Sequence, residues 1–571
     1  MARALTLPLP RVPPSPVSTE EGQGGGSPRD IRRYVLLCLL CLILYAPGLA
    51  AIPPLDRDEA RFAQATRQML ETGDFIRIRF QDRARNKKPI GIYWLQAGAV
   101  SAFSSPKSAA IWPYRLPSAV AAMIAVLLTL GLGSRLLGSR AAGFTAAVLT
   151  ASALGVVVEA HLAKTDAALL AATVAAQGAL GLIYTRSRSG RRIPLALAVL
   201  FWAAEGAAIL LKGPLGPVLA GLTVAVLSIA DRDIRWTKGL RPIAGSLLLG
   251  LIVAPWLIAV ESATGGRFLP DAIFSDFLPK LTGGQEAHGA PPGYYLALAG
   301  LTFWPGSLFV IPAVLWGWRR RRIAAERFVL AWLVPGWVLL ELVPTKLPHY
   351  VSPLYPALAL LAGGGLAEGV QTLLVGRARY CELAVEILWG VVTAVLAAAL
   401  IALPFWFGGV VSPVSIAAAA ALPGLGLLLL LRDWRAMPTA ALIATLAVTF
   451  VLPAGFEVVP GLNDLWLSRS AAAAVARHPA RSGEALLSVG YSEPSLVFLL
   501  GTATRLVTAA PGDDQLAGAG VALVNSRDDL EFRQSLARHG LTAQALDRVT
   551  GLDYSAGGAR LVLTLYRLEP G

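Results

Sequence analysis

Apolar runs of about 20 residues recur along this chain, each the length a helix needs to cross a bilayer. Short arginine clusters separate them. In hydrocarbon the backbone has no water to bond, so a chain that repeats such runs folds as a bundle of spanning helices. The runs lie near residues 34–52, 115–136, 141–159, 166–184, 193–211, 215–231, 243–262, 294–317, 328–344, 351–374, 387–409, 412–431 and 438–456. They predict a polytopic α-helical membrane protein with about 13 spans.

Charge orders these runs. With the amino terminus inside, the cytoplasmic segments are 135–140, 186–192, 231–241, 319–322, 377–379 and 432–435, and each carries arginine. Every strongly basic short loop then falls on one side, as the positive-inside bias requires. The same parity exports three segments: 53–113, 263–293 and the tail from 457 onward. A span over 89–103 would reverse that parity and turn the arginines outward, so this aromatic stretch (Tyr93, Trp94, Phe103) is expected as an interfacial helix.

Only 15% of the 571 residues are charged and 55% are hydrophobic, against about 25% charge in a typical soluble domain. A net charge of +14 suits a nucleic-acid binder only when gathered into a basic domain. Here it is spread over membrane-flanking clusters, which excludes nucleic acid and leaves lipid phosphate as a second use of the basic groups. Cys38 and Cys41 share one face of an apolar run with no His or carboxylate for company, and Cys381 stands alone. The first two read as packing residues rather than ligands. Residues 1–28, rich in Pro, Gly and Ser, are expected as a disordered cytoplasmic terminus. Arg29, Arg32 and Arg33 precede the first run as in a signal peptide. Pro53-Pro54 follows it in place of a small-residue cleavage site, so that run is read as a retained span.

Residues 29–456 thus form the membrane domain. Within its exported segment 53–113, residues 59–71 place Phe62, Ala65, Met69 and Leu70 at helical spacing, with Arg61, Arg67 and Glu71 elsewhere. That pattern predicts an amphipathic helix on the interface. Residues 457–571 mix a helical stretch (469–477) with β-like runs at 485–489, 522–525 and 561–566, which predicts a small exported α/β domain.

The exported ends carry the chemistry. Asp58 and Glu59 lie just past the first run, where a carboxylate is costly unless paired or used. A cap at Asp56 or Asp58 with Arg61 as its partner is the plainer alternative. Lys87-Lys88, Lys164 with Asp166, Lys212, and Lys346 with Tyr350 stand at exported ends of separate runs. Together they suggest a cage for phosphate, although a lysine pair at an interface also snorkels toward headgroups. His288 lies in the exported loop before Pro291-Pro292, where a solvated role competes with substrate or metal binding. Transfer of a sugar from a lipid phosphate needs both kinds of group. A base accepts the acceptor's proton, and cations stabilise the leaving phosphate.

Asp58-Glu59-Ala60-Arg61-Phe62-Ala63, Asn86-Lys87-Lys88-Pro89 with Tyr93-Trp94, and His288 with Pro291-Pro292 and Tyr294-Tyr295 resemble the lipid A aminoarabinose transferases. Lys212-Gly213-Pro214, Lys346-Leu347-Pro348 with Tyr350, and Gly490-Tyr491 with Glu493-Pro494-Ser495 extend the resemblance. These enzymes stand with the protein O-mannosyltransferases in the GT-C superfamily. The resemblance implies an inverting glycosyltransferase of the bacterial inner membrane, taking its sugar from a polyprenyl phosphate carrier at the periplasmic face. The acceptor would be lipid A, another glycolipid or a protein. By position, Asp58 matches the catalytic carboxylate, with Glu59 beside it. Arg61, Lys87, Lys88, Lys212, Lys346 and Tyr350 fall to the donor phosphate, and Tyr93, Lys164, Asp166 and His288 to the substrate cavity.

One departure bears on metal. Where those transferases carry Glu-Lys-Pro, this chain has Lys87-Lys88-Pro89, and a cation in place of a carboxylate ligand repels a divalent ion. No cofactor is therefore expected, and a divalent metal is disfavoured. The competing reading is a transporter or flippase of polyprenyl-linked sugars, which would bind the same phosphate without needing Asp58. Transporters gather polar groups at mid-membrane and show internal repeats, and neither is visible here.

Overall fold

The computed structural model describes residues 28–283, 289–369 and 379–571. Among them, eight helices are long and apolar enough to cross a membrane, or nine if a pair bent by 61° is one span. The first ten helices are α1 (Pro28–Tyr45), α2 (Asp58–Thr72), α3 (Gly91–Phe103), α4 (Trp112–Leu136), α5 (Arg140–Ser152), α6 (Leu154–Ala160), α7 (Asp166–Arg188), α8 (Leu195–Lys212), α9 (Leu215–Asp231) and α10 (Pro242–Thr264).

Small residues set how closely these helices pack. A Cβ on Gly133 of α4 would lie 2.8 Å from the Gly143 Cα of α5, so the two backbones nearly touch. Gly181 of α7 receives the face of Phe328, a ring buried from the helix Ala324–Leu342. Without a hydrophobic drive between helices in lipid, such close approach supplies the packing energy. The helix pair α5–α6 bends where 141–159 was expected to run straight. The run 294–317 likewise divides into Tyr294–Thr302 and Val310–Arg319. Pro305 falls in that break, where it lacks the N–H a continuous helix needs. The first helix spans 28–45 rather than 34–52, because Pro47 and the left-handed Gly48 turn the chain.

α2 is the main surprise. It forms as predicted, but its polar side is also covered. Gln64 Nε2 donates to Thr502 Oγ1 at 2.7 Å, and Arg67 Nη1 donates to the Phe498 carbonyl at 2.7 Å. Its apolar side packs Phe62 against Tyr93 of α3, centroids 5.3 Å apart. A helix read as lying on the interface is in fact sandwiched between α3 and the C-terminal elements.

Those elements form a mixed five-stranded sheet. β1 (Arg79–Phe80) and β2 (Arg83–Ala84) make a small ribbon ahead of it, and the sheet comprises β3 (Ala485–Val489), β4 (Arg505–Val507), β5 (Ala519–Asn525), β6 (Leu541–Asp553) and β7 (Ala559–Pro570). β3 pairs in parallel with β4 and β5, and β7 runs antiparallel to β5 and β6. Alternate residues of β5 feed opposite faces: Val521 and Leu523 pack with Leu467 and Ala471, Ala522 and Val524 with Phe532 and Leu536. Burial on both faces explains why β3 and β5 read as continuous apolar runs. The short β4 and the polar β6 escaped notice in the sequence. Phe498 seats the sheet on the bundle, its ring edge-on to Tyr114 at 5.3 Å.

Candidate functional site

The site grows from three turns at one end of the bundle. Lys164 lies where the chain turns from α6 into α7, and Asp166 opens α7, where a carboxylate suits the positive end of the helix dipole. Lys212 closes α8, and Gly213 at φ 72° allows the reversal into α9. The 3₁₀ turn Pro348–Leu354 presents His349 and Tyr350. These groups meet. Lys212 pairs with Asp166 and lies 4.7 Å from the Tyr350 ring centre. Lys164 Nζ is 3.2 Å from Glu159 Oε1. His349 stands between the two carboxylates, 3.6 Å from each.

A second group joins residues 86–88 to the helical stretch after α10. Lys88 and Lys280 grip Asp276 at 2.9 and 2.6 Å, and Asn86 donates to Asp271 at 2.9 Å. Burial draws the Lys88 ammonium down to about 8, against the opposing pull of Asp276. The phosphate cage expected from the lysines is therefore a lattice of ion pairs, since a buried ammonium requires a counter-charge. Lys346 stays outside it: buried, it donates to the Val343 carbonyl at 2.6 Å. Lys87 is exposed.

Asp58 and Glu59, neighbours in sequence, have opposite surroundings. The Asp58 side chain is 55% exposed, accepts no hydrogen bond among the described residues, and has Arg85 at 3.8 Å. Glu59 is sealed. Arg115, itself fully buried, donates to it at 2.7 and 2.8 Å, and the N–H groups of Leu55 and Ala163 add bonds of 2.8 and 2.9 Å. With four donors on two oxygens, Glu59 is an anchor and not a second base, which corrects its assignment beside Asp58. Neither Asp56 nor Asp58 caps α2. The N-cap is Arg57, and no side chain bonds there. Asp56 instead accepts from the Ser495 N–H at the start of the helix Pro494–Leu500, at 3.2 Å.

Arg61 is half-buried and its guanidinium makes no hydrogen bond or ion pair among the described residues. Tyr93 does not face a cavity: it is fully buried, and its hydroxyl accepts from Arg85 Nε at 3.4 Å. Tyr93 thus aims Arg85, whose guanidinium also covers the Phe62 ring at 5.0 Å. Arg85, Glu159, Asp276 and His349 were not singled out as site residues from the sequence. Only their nearness to lysine-bearing turns marked them, and pairing across roughly 190 residues (Lys88 to Asp276, Glu159 to His349) leaves no local pattern. His288 lies outside the described residues.

A metal fits poorly here. Lys87 stands where the resemblance places a carboxylate ligand, and among the described residues no group of three His, Cys, Asp or Glu could hold an ion.

The sequence profile of the Dolichyl-phosphate-mannose-protein mannosyltransferase family matches residues 31–265. An undecaprenyl phosphate-alpha-4-amino-4-deoxy-L-arabinose arabinosyl transferase of Pseudomonas fluorescens is 29% identical over 361 residues, 60% of this chain and 61% of that protein. The Pseudomonas aeruginosa counterpart is 29% identical over 339 residues, 58% of this chain and 60% of its own. The chain thus spans about three fifths of the length of the curated relatives it matches. The fold similarity extends further. ArnT from Cupriavidus metallidurans in the apo state superposes with TM-score 0.66 at 21% identity, covering 94% of this chain and 97% of that one. The same protein bound to undecaprenyl phosphate gives 0.65, and an Archaeoglobus fulgidus oligosaccharyltransferase gives 0.52 at 13% identity, over 87% and 69% of the two chains.

Proposed function

We propose that this chain, which has a GT-C fold and resembles the aminoarabinose transferases, moves a sugar from a polyprenyl phosphate carrier to a cell-envelope acceptor. The acceptor is lipid A, another glycolipid or a protein. The observation that carries this reading is the exposed carboxylate of Asp58, without a hydrogen bond among the described residues and 3.8 Å from Arg85, beside a sealed Glu59 and a half-buried Arg61. Asp58 takes the proton as the acceptor oxygen or nitrogen attacks the sugar carbon. The carbon–phosphate oxygen bond breaks on the opposite face, inverting the centre, and the leaving phosphate collects its charge on Arg61, Lys88 and Lys212. Lys164, Asp166, His349 and Tyr350 shape the neighbouring wall.

The finer topology belongs to the same reading. α1, α9, the interrupted pair at 294–319 and the helix Ala324–Leu342 bring the spans to about 13. The arginine clusters face the cytoplasm, so that the Asp58 loop and the C-terminal sheet of residues 457–571 are periplasmic. The likenesses above are to transferases, and the transport reading is set aside. The test compares envelope glycolipids of a deletion strain with those of a strain carrying Asp58→Asn. The sugar should be missing from both while the variant protein remains inserted. Normal glycolipid with Asp58→Asn would refute the reading.

A further inference from the structure

The residue before the proposed base has an unusual backbone. Arg57 sits at φ 65° and ψ −109°, a region that favours glycine. A non-glycine residue keeps such a conformation only where its surroundings over-determine it, and such residues gather at functional sites. The surroundings here lie almost 500 residues away in sequence. The turn between β6 and β7 brings Tyr554 and Ser555 against the loop. The Asp56 N–H donates to the Tyr554 hydroxyl at 2.8 Å, and Arg57 Nη2 bonds the Ser555 carbonyl. The Asp56 carboxylate is held by the Ser495 N–H. On the other side, Glu59 ties Leu55 to Arg115. Asp58, with Arg85 at 3.8 Å and no hydrogen bond among the described residues, thus lies between two fixed ends.

We propose that the β6–β7 turn is a positioning element for this site: Tyr554 and Ser555 hold Asp56-Arg57 in the strained backbone that aims the Asp58 carboxylate. The C-terminal sheet then sets the rate of transfer without touching substrate. This rests on the reading of Asp58 as base. Tyr554 and Arg57 are positioning residues, and a misaimed base slows chemistry while leaving donor binding intact.

The experiment complements the deletion strain with Tyr554→Phe, Arg57→Ala, both together, and Asp58→Asn, at equal protein level. The rate at which the envelope regains its sugar is followed by mass spectrometry. Purified full-length variants are titrated with undecaprenyl phosphate and melted. The double variant should lose about 10- to 100-fold in rate, with its Kd for undecaprenyl phosphate and its melting temperature near those of the unmodified chain. A full rate in the double variant while Asp58→Asn is inactive overturns the positioning role and spares the function. An equal loss in rate and in undecaprenyl phosphate binding, or in rate and melting temperature, overturns it too, because the turn would then be a binding or a folding element. A full rate with Asp58→Asn defeats the reading beneath both.

Discussion

Arg115 grips Glu59 through two nearly parallel hydrogen bonds, 2.7 and 2.8 Å long, inside a region closed to solvent. The same guanidinium reaches the carbonyls of Leu49, Ile52 and Pro53 at 2.9, 2.7 and 3.0 Å. One side chain of α4 therefore fixes the chain where it leaves α1 and where it enters α2. Removing a single partner of such a buried pair strands a charge, at a cost of about 3–5 kcal/mol. Arg115→Ala should lower the melting temperature of the detergent-solubilised protein sharply. Glu59→Gln should be milder, and should keep its activity per folded molecule. Loss of turnover in well-folded Glu59→Gln would restore Glu59 to the chemistry.

Lys88 sets a pH limit. With its ammonium near 8, the charge that the proposed function assigns to the donor phosphate is present below that pH and fades above it. The affinity for undecaprenyl phosphate should fall as pH rises from 7 to 9. In Lys88→Arg the guanidinium stays charged throughout, and the fall should vanish. An unchanged pH profile in Lys88→Arg would remove Lys88 from the phosphate contacts.

The loop anchored by the β6–β7 turn should respond to pH in the opposite sense to a salt-bridged carboxylate. Burial pushes Asp56 up to about 6 and Glu493 up to about 7. Both values lie above those of the unfolded chain. The stability they contribute is therefore complete at acid pH and is lost as pH climbs through 6 to 7. For Asp56 the change is up to about 3 kcal/mol. The melting temperature should drop between pH 5 and pH 8, and Asp56→Asn with Glu493→Gln should flatten that drop. A melting temperature that rises over this interval would contradict the assignment.

Lys87 bears on metal dependence. On the proposed function, a cation where the resemblance places a carboxylate ligand would supply positive charge near the donor directly. Turnover should survive EDTA in the unmodified protein, and Lys87→Glu should make it sensitive to EDTA and restorable by zinc. Zinc-restorable loss in the unmodified chain would end this account.

The primary sequence determined the membrane bundle, because spanning runs and arginine-bearing loops follow from the solvent and leave a local signature. It also determined which ends carry charge, and Asp58, Arg61, Lys88, Lys164, Asp166 and Lys212 were all visible as motifs at run boundaries. What it left open was which of these charges are neutralised. Glu59 and Asp58 are adjacent carboxylates in the sequence, yet one is sealed against Arg115, 56 residues on, and the other is half exposed with Arg85 at 3.8 Å. The lysines looked like a bare cage until the fold set Lys212 on Asp166 and Lys88 on Asp276 across distant segments. Whether a carboxylate is a counter-ion or a base depends on its three-dimensional neighbours, and those are chosen by packing between distant segments, which no local period or spacing encodes.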